Sequence, residues 1–314
     1  MANTKIVSLS GDDVRFKKTN AVENSAKILL TLCALVAVAA VICISAYMII
    51  SGIPALLQVN PLEILFGTVW APTAAEPSFG IAFVILTSIV GTAFAVLLGV
   101  PVGVLTAVFL AELAPAKVAA VVRPAVELLA GIPSVIYGLL GMVILNPLMY
   151  KLELFVFKGS TTHQYTGGAN MISAVLVLAI MILPTVISVS ETSIRAVPKE
   201  YRSGSLALGG SKIQTIFRVV LPTAKSGIMT AVVLGVGRAI GEAMAITLVS
   251  GSSVNLPLPF NAVRFLTTAI VSEMGYASGL HRQVLFTIGL VLFVFIMIIN
   301  TVLLKVSSAA VKEK

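Results

Sequence analysis

The sequence predicts an all-α, polytopic membrane protein with six membrane-spanning helices. Three observations carry that prediction. Of the 314 residues, 58% are hydrophobic and only 11% are charged, whereas a soluble domain carries about a quarter charged residues. The apolar residues gather into six runs, each long enough for the ~20-residue helix that crosses a bilayer. The basic residues between the runs alternate. Sixteen Lys and Arg fall in residues 1–27, 112–123, 195–225 and from 305 on, against four in 53–78, 150–169 and 251–283.

Residues 1–27 read as a polar N-terminal segment with Lys5, Arg15, Lys17, Lys18 and Lys27. The first run, 28–52, is too long for the apolar region of a signal peptide, and no small-residue cleavage site follows it. Its Cys33 and Cys43 have no metal-ligand spacing and read as small buried hydrophobes. The loop 53–78 has no basic residue, and its Trp70 suits an interfacial anchor. A core over 79–305 holds the other five runs, 79–111, 124–149, 170–194, 226–250 and 284–305, and 306–314 forms the tail. Pro101 offers the second run a kink point. The third opens on "RPAVELLAGIPSV", with Gly131 and Pro133 inside. The positive-inside rule places both termini in the cytoplasm, which an even number of spans requires. His163 and His281 then fall in external loops and read as solvated.

Several function classes are excluded. No GxxxxGK[ST], nucleophile elbow, HExxH or CxxC occurs, so the chain itself offers no ATP site, hydrolase or metal chemistry. No catalytic residue, metal or cofactor is expected in this chain. The net charge of +8 fits cytoplasmic loops of a membrane protein, and no nucleic-acid partner is expected.

The longest basic segment, 195–225, reads as helix, break, helix. Pro198 suits a first helical turn. Gly209 and Gly210 suit a left-handed C-terminal cap. A second amphipathic piece follows from Ser211, with Ile213, Ile216 and Phe217 on one side. Two readings fit the segment: a docking site for another protein, or a helix lying on the membrane surface.

This segment resembles the coupling loop of ABC importer permeases: three small or acidic residues, a glycine four residues after the last of them, and a downstream I-x-L-P. Here the glycine is Gly209 and the ending is Val219-Val220-Leu221-Pro222. The family's initial Glu-Ala-Ala is replaced by Ser203-Gly204-Ser205, a departure that removes the glutamate. "LAGIPSVIYG" at 129–138, "GRAIGEAMAITLVSG" at 237–251 and "FTIGLVLFVFIMIIN" in the last run are similar to permease subunits of phosphate-specific ABC importers, more to the PstC type than the PstA type. The resemblance covers roughly residues 75–305. It implies a MetI-like permease core, transport of phosphate through half of a shared pathway, and a cell-membrane location. It also implies four kinds of partner: a PstA-type permease subunit, two PstB-type ATPase subunits that bind ATP and Mg, a PstS-type phosphate-binding protein outside, and membrane lipid.

Arg238 and Glu242 stand inside the fifth apolar run, near its midpoint. A charge at the bilayer centre costs about 2.5–3.5 kcal/mol on insertion scales and marks a functional residue by default. Their spacing of four would put both on one helix face, where they can pair. The pair either satisfies itself, or Arg238 serves as a transient ligand for the anion while Glu242 holds it between turnovers. A guanidinium matches phosphate oxygens in charge and geometry. Gly131, Pro133 and Ser134 form a second pathway candidate, since an interrupted helix frees backbone groups toward a cavity. A packing kink would explain them equally. A sulfate or molybdate permease would share the coupling loop. An ion-coupled secondary transporter would share the charge pair but need no such loop.

Overall fold

The computed structural model describes the backbone of residues 12–312 and the side chains of 23–303 and 305. The basic residues before Lys27 and the tail after Lys305 have side chains outside that range. The chain divides into two compact units, residues 1–51 and 52–314.

The first unit holds most of α1 (Asp12–Gln58). Cys33 and Cys43 are exposed on it, which corrects the expectation that they are buried. An apolar helix of this kind turns its small residues to lipid as readily as to protein.

The second unit begins with the end of α1 and runs through α2 (Pro61–Phe66) and a two-stranded antiparallel hairpin, β1 (Trp70–Ala71) and β2 (Ser78–Phe79). Asn60 caps α2 by accepting from the Leu62 amide, as Asn does at helix starts. The predicted loop at 53–78 is therefore largely structured. Then follow α3 (Ala82–Val108), α4 (Ala116–Gly131), α5 (Ser134–Leu140), α6 (Asn146–Val156) and α7 (Met171–Arg195). The rest are α8 (Lys199–Ala207), α9 (Lys212–Thr215), α10 (Leu221–Gly241), α11 (Met244–Val249), α12 (Leu266–Glu273) and α13 (Gly279–Lys312). One-turn π segments extend α3, join α5 to α6 and join α9 to α10.

Six helical stretches are long and apolar enough to cross a membrane: Glu23–Gln58, Ala82–Leu113, Ser134–Val156, Met171–Arg195, Lys212–Gly241 and Gly279–Leu303. Two differ from the sequence-based bounds. The third starts at Ser134 rather than 124, because Pro133 ends the preceding helix and the chain turns extended at Ile132. The fifth runs from 212 to 241 rather than 226 to 250. Its helix continues through the π turn Ile216–Val220, and Pro222 follows that turn.

The packing centre is α7, whose apolar window is the most buried of the six. Glycines bring α3 against it. A Cβ on Gly99 would stand 2.6 Å from Ile182 Cδ1, and one on Gly103 would stand 2.8 Å from Val186 Cγ1. On the other side of the same valine, a Cβ on Gly235 of α10 would stand 2.9 Å from Cγ2. Small residues allow such close backbone approach where lipid supplies no hydrophobic drive between helices. Val186 is fully buried, with one methyl against each neighbouring helix.

Two buried carboxylates organise the loops. Glu273, at the end of α12, accepts from Trp70 Nε1 at 3.1 Å and from His281 Nε2 at 2.7 Å, and it pairs with Arg264. Glu153, fully buried on α6, accepts from His163 Nε2 at 2.8 Å and from the Thr166 amide at 3.0 Å. His163 also stacks on Phe157, ring centroids 3.7 Å apart. Neither histidine is a solvated loop residue, and Trp70 is a hydrogen-bond donor to Glu273 as well as an apolar surface. A buried carboxylate needs such donors to remain in place.

Candidate functional site

The site forms where two helices are interrupted. Between α10 and α11 the helix stops at Gly241, and Glu242 is extended, with φ −73° and ψ 129°. Its carboxylate turns forward to accept from the Ala245 amide at 3.0 Å, inside the first turn of α11. Its carbonyl, released from the helical ladder, accepts from Thr267 Oγ1 at 2.6 Å. The interruption is thus satisfied from both sides, and the negative charge sits at a helix N-terminus, where it is favoured.

This arrangement corrects the expected pairing. Arg238 and Glu242 do not share a helix face, because the helix ends between them. Among the described residues no ion pair joins them. Arg238 lies in the last turn of α10 and is half-buried. Its Nη1 donates to Thr185 Oγ1 on α7 at 3.4 Å. Leu234, Gly237 and Gly241, on the same side of α10, are exposed, so the guanidinium lies beside a face that this chain leaves open.

The second interruption lies between α4 and α5. Gly131 is exposed, and a Cβ there would meet nothing within 4 Å. Close helix packing through Gly131 is therefore not the reason for the glycine within this chain. Pro133 stands immediately before α5 and provides no side-chain cap, and Ser134 is its first residue. Tyr137, one turn in, reaches back across the break and donates to the Leu129 carbonyl at 2.7 Å. The two interruptions are linked by packing. The short helices that follow them pack tightly: a Cβ on Gly138 of α5 would lie 2.7 Å from Ala245 Cα of α11.

The segment between α7 and α10 has the expected helix–turn–helix shape. Ser203, Gly204 and Ser205 lie on α8, which buries no residue. Gly209 ends it with φ +85°, the left-handed conformation that glycine takes at no steric cost. Ser211 opens α9 with a capping box, accepting from the Gln214 amide while Gln214 accepts from the Ser211 amide. Ile216 is buried beneath the segment, whereas Ile213 and Phe217 are exposed. A groove beside α8, lined in part by Tyr201, Gly204, Ser205 and Arg218, encloses about 500 Å³. Leu221 and Pro222 follow at the start of α10.

Two parts of this arrangement were invisible in the sequence. Thr185 gave no signal as a partner for Arg238, 53 residues away. Arg202, read only as one more basic residue, anchors α8 to the end of α3. It donates from Nε and Nη2 to Glu112 Oε1 at 3.0 and 2.5 Å, and from Nη2 to the Ile194 carbonyl at 2.9 Å.

Membrane-crossing helices, a charge held at a helix interruption and an amphipathic helical insertion between the fourth and fifth spans define a transport permease. The chain belongs to the family described as binding-protein-dependent transport system inner membrane component, whose model matches residues 99–312. It is a multi-pass membrane protein and the permease component of an ABC transporter. It is 38% identical over 283 residues to the "Probable ABC transporter permease protein YqgH" of Bacillus subtilis, covering 87% of this chain and 88% of that protein. It is 35% identical over 248 residues to the "Phosphate transport system permease protein PstC" of Pasteurella multocida, covering 76% of each. The Haemophilus influenzae protein of the same description is 35% identical over 246 residues, covering 73% of this chain and 76% of its own length. Among solved structures, inward-facing conformations of the MetNI methionine ABC transporter match 74% of this chain and 94% of that chain. The TM-score is 0.50 at 19% identity, a likeness of fold.

Proposed function

We propose that this chain is the PstC-type permease subunit of an ATP-driven importer of inorganic phosphate. Arg238 is the observation that carries the reading. It is a half-buried guanidinium at a helix interruption, with Thr185 as its side-chain partner and no carboxylate paired to it among the described residues. A planar cation in that state is free to take an oxyanion. The phosphate transport descriptions of several relatives support the choice of anion.

Arg238 is the transient ligand for phosphate as it passes, and Thr185 orients its guanidinium. Glu242 keeps the interruption open by capping α11, which is a positioning role and replaces the expected competition for Arg238. Gly131, Pro133 and Ser134 border the pathway at the second interruption. The segment around Ser203, Gly204, Ser205, Gly209, Leu221 and Pro222 couples the chain to its ATPase. Because α8 is tied through Arg202 to α3, a push on α8 reaches the membrane helices directly.

The partners of this reading are a PstA-type permease subunit that completes the pathway, two PstB-type ATPase subunits and a PstS-type binding protein. ATP and Mg belong to the ATPase subunits, and this chain contributes no ATP site. The complex lies in the cytoplasmic membrane, with both termini of this chain on the cytoplasmic side. The decisive experiment is radiolabelled phosphate uptake with sulfate and molybdate as competitors, in cells carrying wild-type chain or Arg238→Gln. Loss of phosphate uptake with intact assembly is expected. Normal uptake by the variant removes Arg238 from the pathway, and preferential competition by sulfate or molybdate reassigns the substrate.

A further inference from the structure

Further along α7 from the Arg238 contact, the structure holds a pair of arginines. Arg123 of α4 and Arg195 at the end of α7 both grip a single oxygen of Glu191. Arg123 Nε lies 2.6 Å and Arg195 Nε 2.9 Å from Glu191 Oε1. Arg123 Nη2 also donates to the Leu110 carbonyl at 3.1 Å. The glutamate is buried, with its side chain 10% exposed, while the arginine side chains are 32% and 48% exposed. A cavity of about 200 Å³ opens onto them, walled by Glu127, Ser188 and Thr192 as well.

The position of this cavity matters as much as its charge. Thr185, Ser188, Thr192 and Arg195 follow one another at helical spacing along one face of α7, and none of the four is buried. At 1.5 Å per residue this polar line runs ~15 Å, from the partner of Arg238 to the arginine pair. An apolar helix that carries hydroxyls along one open side offers a wetted track, and rings of arginine are how anion pores select.

We infer that Arg123 and Arg195 form a second, weak oxyanion site at the cytoplasmic mouth, from which phosphate is released. The inference rests on the phosphate-import reading. Two guanidiniums facing one cavity fit a tetrahedral oxyanion with several oxygens. Glu191 is the internal competitor: it occupies the arginines when phosphate is absent and takes them back when it leaves. Glu127, exposed on the cavity wall, adds a repulsion that keeps the site weak. Weakness suits an exit, since conduction requires binding that also lets go.

Arginine-directed labelling tests this on the purified transport complex in maltoside detergent, which contains no phosphate group. p-Hydroxyphenylglyoxal modifies accessible guanidiniums, and peptide mass spectrometry reads the rate at Arg195. Inorganic phosphate at 10 mM should slow that rate at least threefold relative to chloride at equal ionic strength. The protection should persist in Arg238→Gln. In Glu191→Gln, half-protection should need about tenfold less phosphate. A purely structural tie between α4 and α7 predicts something else: labelling insensitive to phosphate, and faster in Glu191→Gln whatever the anion. That result overturns the proposal. So does protection seen only in phosphatidylglycerol nanodiscs, which would assign the site to a lipid headgroup. Absent protection together with uptake that still depends on Arg238 removes the exit site and leaves the import reading standing. Loss of both removes the import reading itself.

Discussion

Substitution of Gly209 separates the backbone demand of the coupling turn from its side-chain demand. The residue stands at φ +85°, and a Cβ built there meets nothing within 4 Å. No neighbour would have to move, so the cost of an alanine is the local one: about 1–2 kcal/mol for an L residue in the left-handed region. That is a ~5–30-fold shift in the population of the correct turn. Asparagine tolerates this conformation far better, because its short amide bonds locally. Valine, branched at Cβ, is worse than alanine. The ordering Gly209, Asn, Ala, Val should therefore appear in phosphate-stimulated ATP hydrolysis by the reconstituted complex, with Gly209→Ala reduced about 5–30-fold and Gly209→Asn close to wild type. Co-purification of the ATPase subunits reports whether docking is lost as well. If alanine and asparagine behave alike, backbone strain is the wrong account. If Gly209→Val retains full coupling and uptake, the segment is a surface helix and not the coupling element.

Further outcomes follow from buried charge, close packing and the Arg238 contact. Glu273→Ala strips Arg264, Trp70 and His281 of their shared acceptor; leaving a buried charge unpaired costs about 3–5 kcal/mol, so the detergent-solubilised complex should melt well below wild type, with Glu273→Gln between them. An unchanged melting temperature in both would show that water replaces the carboxylate. Gly168→Ala puts a Cβ 1.8 Å from the Asn146 carbonyl oxygen at φ +83° and should prevent accumulation in the membrane fraction. The adjacent Gly167→Ala, at φ +66° with open space around it, should accumulate; equal levels of the two on an immunoblot would contradict the packing. Thr185→Val removes the hydroxyl that holds Arg238; at about 1 kcal/mol the apparent KM for phosphate should rise roughly fivefold at unchanged protein level, and an unaltered KM would mean that the contact does not orient the arginine.

The membrane architecture was legible because hydropathy over ~20 residues is a local signal. The six runs are present, and Gly209 is left-handed as its sequence context indicated. What local reading misplaced was decided by distant partners. In "AIGEAMAI" Gly241 only weakens a helix; the break at Glu242 is held because Thr267 donates to its carbonyl and the Ala245 amide to its carboxylate. The pairing of Arg238 with Glu242 failed for that reason. The apolar run at 124–149 passes through Pro133, where one helix ends and the next begins. Sequence alone leaves His163 and His281 as loop residues, because their glutamates lie ten and eight residues off, across turns that bring them together only in three dimensions.

Val186 stands where three helices meet, with Gly103 against one methyl and Gly235 against the other. Held from both sides at this valine, α7 can take it as a fulcrum. Tilt α7 by ~10° about it and Arg195, nine residues or ~13.5 Å along the axis, swings by ~2.4 Å. Thr185, one residue or ~1.5 Å from the fulcrum, travels by ~0.3 Å. Arg238 is three residues beyond Gly235 on the neighbouring rod, ~4.5 Å from the same clasp. The lever arms thus lie toward the two membrane surfaces, and the central cation sits beside the bearing. Opening and closing of the ends can proceed around the guanidinium while its depth and its hydrogen bond to α7 stay nearly constant.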